Sequence, residues 1–342
     1  MRVLALVAVV GLGCASPTVT IPSGPDEVPS PGCDGGKLYG DPPPPYSISI
    51  DGQKFTVRNG QVWRPTGEGT GQLFATLYDP GFASRFELQG CTILRRSDDG
   101  TLKVPVSKTF AAEFEAAADV QGLVGLDAGF TGFVLQSPAA QSIPEYVALR
   151  SCLLSRTCDF KDNRLDVLAD AAHDGGRGLR ATSLGPVGQM VTAKASIESE
   201  LVHFIRGDVV RLGAWFRAVE GVPYGLIDLE SAILESAPGP RILIEGGHLE
   251  VELKFADKPR FKQTSPVAFP LGAWVRVDVE FTLQPDATGR VRLWQDGALR
   301  IDATGQTLPL PNTILNSLEV GITSNNLGRA VLDVDGLTVS AN

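Results

Sequence analysis

The sequence predicts an all-β protein, a large two-sheet sandwich preceded by a small β module, and three observations predict it. Apolar and charged residues alternate along Trp274-Val275-Arg276-Val277-Asp278-Val279-Glu280-Phe281 and again along Gly289-Arg290-Val291-Arg292-Leu293-Trp294-Gln295-Asp296-Gly297. That is the period-two pattern of strands with one buried face and one wet face, and Gln284 to Gly289 supplies the turn between them. Strand-like runs then recur at intervals of roughly 8 to 15 residues between turn signals, the spacing of a sandwich. Finally, 38 Gly and 24 Pro accompany few long helical periodicities, which suits a loop-rich β fold. No internal repeat is evident, which disfavours a propeller or solenoid.

Residues 1–13 open with Met1-Arg2 and the apolar run Val3 to Val10, then Gly11-Leu12-Gly13 before Cys14, a basic start and a hydrophobic segment too short to span a bilayer. The segment resembles a bacterial lipoprotein signal, which implies that Cys14 becomes the lipidated first residue. An ordinary secretory signal is the alternative. Either predicts export, to the cell envelope with a lipid anchor in the outer membrane or at the cell surface, or as a secreted protein. No later segment has the roughly 18 uninterrupted apolar residues of a membrane helix.

Export makes disulfides stable. With Cys14 lipidated, Cys33, Cys91, Cys152 and Cys158 remain. The short loop Leu153 to Thr157 favours Cys152 with Cys158, which leaves Cys33 with Cys91. No CxxC or clustered His/Cys spacing suggests a zinc site. Thirty Lys plus Arg against 39 Asp plus Glu, a formal charge of −9, argue against nucleic acid as a partner.

Residues 14–45 are rich in Pro, Ser, Gly, Asp and Thr and end in Pro42-Pro43-Pro44-Pro45, a stiff extended tether. Tyr46 to Val57 reads as a hairpin turning at Asp51-Gly52, and with runs at Leu73 to Tyr78, Arg85 to Leu88 and Thr92 to Arg95 it makes 46–102 a small β module or an extension of the main domain. The sandwich occupies 103–342. Its strands are expected at Phe110 to Glu115, Leu165 to Leu168, Gly178 to Thr182, Ala193 to Leu201, Val209 to Arg217, Leu226 to Glu230, Arg241 to Glu245, Leu249 to Phe255, the pair that opened this section, Ser317 to Ile322 and Ala330 to Val339.

The strand beginning at Trp274, its Gly turn and the Leu293-Trp294-Gln295-Asp296-Gly297 ending resemble the concanavalin A-like jelly rolls: lectins, glucanases and polysaccharide lyases. The resemblance implies a jelly-roll β-sandwich with its first and last strands close together and a carbohydrate as partner. Gly225-Leu226-Ile227-Asp228-Leu229-Glu230 is similar to the Glu-x-Asp-x-Glu strand of the retaining glucanases. Leu226 replaces the first carboxylate, though, and double displacement needs two carboxyl groups, one as nucleophile.

The lyase comparison has three pieces. Ser196-Ile197-Glu198-Ser199-Glu200-Leu201 is similar to an Arg-x-Glu-Leu-Arg strand, keeping Glu200 and Leu201. Leu253 to Gln263 looks like the Tyr-Phe-Lys-Ala-Gly-x-Tyr-x-Gln segment, keeping Lys254 and Gln263, with Phe261 in the place of the catalytic tyrosine. The Gln-x-His strand would fall at Asp228-Leu229-Glu230. Lyases of this kind neutralise a uronate carboxylate and move the adjacent proton through Tyr or His, so Tyr224, His203 and His248 become the proton carriers to examine.

The resemblance thus implies a cleft with Glu200, Asp228, Glu230, Lys254, Tyr224 and His203 as catalytic candidates. Substrate would be held by Arg241, Lys258, Arg260 and Gln263. Basic residues are concentrated between Arg241 and Lys262, a local patch for an anionic polysaccharide in an acidic protein. Trp215 offers a ring for stacking on sugar. The resemblance also implies a structural calcium ion, held by Asp333 or Asp335 with Asp174 and backed by carbonyls of Gly175. Asp228, Glu230 and Lys254 are expected to meet in one groove. The resulting expectation is an exported protein that binds an acidic polysaccharide or cleaves it as a lyase, or else a non-catalytic carbohydrate-binding or cell-surface interaction lipoprotein.

Overall fold

A computed structural model of the chain describes residues 101–342, apart from 142, 189, 191, 231–238, 255–258 and 310–312, together with strand segments between residues 19 and 97. Among those segments Tyr46–Ile50, Gln53–Arg58, Gln61–Gly67 and Thr70–Thr76 form an antiparallel meander. Ile50 pairs with Gln53, the strand register expected of the hairpin; residues 51 and 52 lie outside the described residues. Phe86–Gln89, Thr92–Arg96 and Lys103–Pro105 make a separate three-stranded sheet.

The sandwich follows. Its strands are β1 (Thr109–Ala112), β2 (Gly132–Gln136), β3 (Arg164–Leu168), β4 (Gly178–Ser183), β5 (Ala193–Ser199), β6 (Val209–Glu220), β7 (Gly225–Glu230), β8 (Pro240–Glu245), β9 (His248–Leu253), β10 (Arg260–Phe261), β11 (Val275–Thr282), β12 (Arg290–Gln295), β13 (Ala298–Thr304), β14 (Ser317–Asn325) and β15 (Ala330–Ala341). Helix α1 (Ile143–Leu154) lies between β2 and β3. The front sheet runs β2-β5-β14-β7-β8-β9-β10 and the back sheet β3-β4-β15-β6-β11-β12-β13, with β1 also paired to β15. The β1–β15 pairing, Thr109 opposite Ser340 through Ala112 opposite Leu337, joins the sandwich's first and last strands as the jelly-roll resemblance implied. The fold is an all-β sandwich.

Alternation builds the core. Ala195, Ile197, Leu318, Val320, Ile227, Leu229, Ile242 and Val251 face inward from the front sheet, and Val210, Leu212, Phe216, Val277, Phe281, Leu293 and Leu332 from the back; each large side chain contributes about 2 kcal/mol by leaving water. Asn163, 1% exposed, ties the two sheets at one end. Its amide nitrogen donates to the Gln136 carbonyl at 2.7 Å and the Lys194 carbonyl at 2.8 Å, while its oxygen accepts from the Leu184 amide at 2.8 Å.

Several boundaries differ from expectation. The strand expected through Glu115 stops at Ala112, because Phe114 takes a left-handed backbone (φ 56°) to stack its ring on Phe130 at 5.8 Å. Conversely β6 and β14 run beyond their expected ends, β6 through register shifts at Gly213/Trp215 and Ala218/Glu220. Strands β2, β10 and β13 and helix α1 were not anticipated. The Cys152–Cys158 disulfide is present, closing the turn after α1. Cys14, Cys91 and the Cys33 side chain lie outside the described residues.

Candidate functional site

The front sheet's register places six charged residues in one line. Glu198 opposes Glu319, Glu319 opposes Asp228, Asp228 opposes Arg241, Arg241 opposes Glu252, and Glu252 opposes Arg260. Five strand-to-strand steps make the row about 24 Å long. It faces outward because its neighbours along each strand face the core. In β14 Leu318 and Val320 are fully buried on either side of Glu319, and in β9 Val251 and Leu253 flank Glu252.

At the centre the row is a closed ion network. The Lys254 ammonium donates to Asp228 at 2.7 Å and also to Glu230, and Thr323 donates to the other Asp228 oxygen at 3.1 Å. Lys194 sits 3.0 Å from Glu319, which also accepts from the Ser196 hydroxyl. Carboxylate oxygens of Asp228, Glu230 and Glu319 lie within 4.8 Å of one another, a spacing a divalent cation could bridge. Two ammonium groups already supply that charge.

The shared setting separates the three acids. Burial pushes the Asp228 carboxyl up, but Lys254, Arg241 and Lys194 outweigh it and hold the group at about 2. Burial likewise raises Glu230, and Lys254 and Lys194 prevail, leaving it below the usual carboxylate range. Glu319 goes the other way: burial, reinforced by the charges on Asp228 and Glu230, drives it up to about 7 against the pull of Lys194. Lys254 is raised: burial disfavours its charge and is overcome by Asp228 and Glu230. One pair of neighbouring carboxyls therefore has one member always ionised and one holding a proton near neutrality.

The row's other end is more open. Arg260 donates to the Tyr224 phenol oxygen at 2.6 Å and to Glu252 at 2.9 Å, and the Arg241 guanidinium lies 5.0 Å above the Tyr224 ring while also pairing with Glu252. Burial and the Glu252 charge raise the Tyr224 phenol above its usual pKa, against Arg241 and Arg260. Beside the ring is a depression of about 410 Å³ bounded by Pro223, Glu245, Asn326 and Leu327.

Asp228, Glu230 and Lys254 thus meet as expected, and Tyr224, Arg241 and Arg260 form an adjoining group. Other expected residues lie elsewhere. Glu200 is paired with Arg95 of the Thr92–Arg96 strand at 2.8 Å. Gln263 is 7% exposed, braced by the Leu249 carbonyl at 3.1 Å and the Val267 amide at 2.9 Å, so it holds a loop rather than a ligand. His203 stands beside Lys108 and Asp208, its pKa lowered by burial, away from the row. Trp215 is on β6 of the back sheet, stacked under His173 at 3.7 Å, and cannot share a cleft with the front-sheet residues. Lys258 lies outside the described residues.

The expected calcium ligands do not fit an ion. Asp333 is fully buried between Arg180 at 2.7 Å and Arg217 at 2.6 Å. Asp335 accepts from the His173 and Asp174 amides at 2.7 and 3.1 Å, and the Asp174 carboxylate bonds His173 Nδ1 at 2.7 Å. Phe261, which the resemblance put in the place of a tyrosine, is 6% exposed and packs in the core, while its neighbours Arg260 and Lys262 are exposed.

Glu319, Lys194 and Ser196 were missed as site residues. Their signal was present, single polar residues on the outward positions of Ala193-Lys194-Ala195-Ser196-Ile197 and Leu318-Glu319-Val320, but period alone does not say which outward positions of separate strands line up.

No protein-family model matches the chain, and no curated protein matches it. Among solved structures it is similar to an endo-β-1,4-glucuronan lyase from the fungus Trichoderma reesei, at 14% identity and TM-score 0.44, over 62% of this chain and 95% of that one. A cellulose-induced protein, Cip1, aligns at 16% identity and TM-score 0.40, over 53% and 86%. The alginate lyase Aly36B aligns at 11% identity and TM-score 0.39, over 69% and 97%.

Proposed function

We propose that this protein binds an acidic polysaccharide along the outer face of the front sheet, with a sugar carboxylate received at Arg260 and Lys262 and a sugar ring laid beside Tyr224. The observation that carries this reading is the Arg241–Tyr224–Arg260 group next to the open depression. A phenol ring gives an apolar face for sugar C–H groups, and a guanidinium fork matches a carboxylate. Which cations are available follows from burial. Arg260 keeps its bond to the buried Glu252, which Arg241 shares, and what it can exchange is its 3.2 Å contact with Glu245, an acid 45% exposed, since so wet a pair is worth little. Lys254 cannot make that exchange, because releasing Asp228 would leave a buried charge uncompensated.

A second reading, cleavage of the same polymer as a lyase, is favoured by the contact between phenol and guanidinium. In β-elimination a cation neutralises the uronate carboxylate and the ionised Tyr224 oxygen takes the proton from the adjacent carbon. The released electron pair forms a carbon–carbon double bond and expels the glycosidic oxygen, which takes the proton back from the now neutral Tyr224 phenol and so restores its ionised form. Since burial raises the Tyr224 pKa, the ionised phenol is scarce at pH 7 and the rate is expected to climb with pH. Export and lipid anchoring through Cys14 belong to the same reading, and Cys14→Ser is expected to move the protein from the membrane to the soluble fraction.

One experiment covers both readings: incubation with alginate, glucuronan, heparin and pectin, reading binding by titration calorimetry and unsaturated uronate products by ultraviolet absorbance. Binding weakened about tenfold in Arg260→Ala and Tyr224→Ala supports the binding face. Product formed by the natural protein but not by Tyr224→Phe supports elimination. Absence of both binding and product with all four polymers overturns the proposal.

A further inference from the structure

We propose that the outer face of the back sheet carries a second site, for a sugar unit bearing an acidic group, centred on Arg211, Arg292 and Trp294. It lies on the opposite sheet from the Tyr224 face and stands independently of it.

The eight back-sheet strands hold eight arginines and no lysine. Most are matched one to one by acids: Arg164 by Asp166, Arg276 by Asp278, Arg290 by Asp302, and Arg180 with Arg217 by Asp333 and Asp170 together. One place has an excess. Glu280, whose side chain is 7% exposed, is held by Arg211 at 2.8 Å on one side and by Arg292 on the other, so two guanidiniums share one buried carboxylate and the group carries a net positive charge. Both arginines keep an exposed side, 55% of Arg211 and 34% of Arg292. The carboxylate fixes the forks before any ligand arrives, which lowers the ordering cost of binding.

Trp294 follows Arg292 by two residues on β12 and so shares its face, with the Arg292 guanidinium 5.7 Å from the indole centre. Between Arg211 and Trp294 is a depression of about 170 Å³, its wall completed by Asp278, Thr338 and Ser340. Thr338 and Ser340 are exposed and present hydroxyls. The set suits an acidic pyranose: an indole for the C–H face, the Arg211 fork in the wall and the Arg292 fork against the indole for the carboxylate or sulfate, and the Thr338 and Ser340 hydroxyls with the Asp278 carboxylate to bond the sugar's hydroxyls. The small depression suits one ring of a glycan.

The test uses the full chain carrying Tyr224→Ala, which weakens the front face, titrated with a heparin hexasaccharide and, as control, a neutral β-glucan hexasaccharide. Trp294→Ala and Arg211→Ala are each expected to weaken heparin binding about tenfold, with no measurable glucan binding. Arg211→Ala leaves Glu280 paired with Arg292, so its melting temperature is expected to stay close to that of the parent. Unchanged heparin affinity in both variants overturns the site, as does equal affinity for the neutral glucan, or binding only to anionic lipid vesicles. Failure of the Tyr224 face would appear separately, as no difference between the natural protein and Tyr224→Ala.

Discussion

Lys254 holds two carboxylates that burial would otherwise keep from ionising. Lys254→Met is expected to destabilise the fold by about 3 to 5 kcal/mol, since it removes the main partner of the buried Asp228 carboxylate and of Glu230. Adding Asp228→Asn should recover much of that loss, and denaturant midpoints of the two variants check it. Glu319 makes the opposite demand. Its folded pKa of about 7 exceeds its ordinary 4.5, so the stabilisation from its bound proton is complete below pH 4.5 and fades as pH rises through 7. On that ground Glu319→Gln should abolish a loss of stability on the order of 3 kcal/mol between those limits, read as melting temperature against pH. Asp228 works the other way: its contribution is present above its ordinary 3.8 and disappears as pH falls towards 2.

Single elements depend on a few ties. Asn163 satisfies backbone groups of β2, of β5 and of the residue after β4, so Asn163→Ala should cost about 2 to 3 kcal/mol by leaving buried polar groups unpaired. The small Cys152–Cys158 loop closes little chain, and Cys158→Ser is expected to cost only about 2 kcal/mol; chemical denaturation measures both. Most strands of the sandwich were legible from alternation, because an inward apolar series is written into each strand separately, whereas β2, β10 and β13 were not. Helix α1 was not, since Ile143 to Leu154 has no clean apolar stripe and its role comes from capping a sheet edge. The Asp228–Glu230–Lys254 contact was legible through resemblance. The Glu319–Lys194 half was not, because the pairing of β5 with β14 joins residues more than a hundred positions apart, and no local pattern encodes which distant strands are neighbours.

At the scale of the molecule the two outer faces are built differently. The front sheet sets lysines and arginines against a longer list of acids, whereas the back sheet uses arginine alone among its cations. The three-stranded sheet ahead of β1 is tied to the sandwich by the buried Arg95–Glu200 pair. Glu200→Ala is therefore expected to speed hydrogen exchange in Thr92–Arg96 while leaving β6 and β15 unchanged. Strand β15 lies in the middle of the back sheet, between β4 and β6, with β1 also bonded to it. As a nascent chain emerges, β1, β4 and β6 have no shared neighbour until residues 330–341 have been made, more than two hundred residues after β1. Closure of the back sheet therefore waits for its last strand, which joins halves made far apart in the chain.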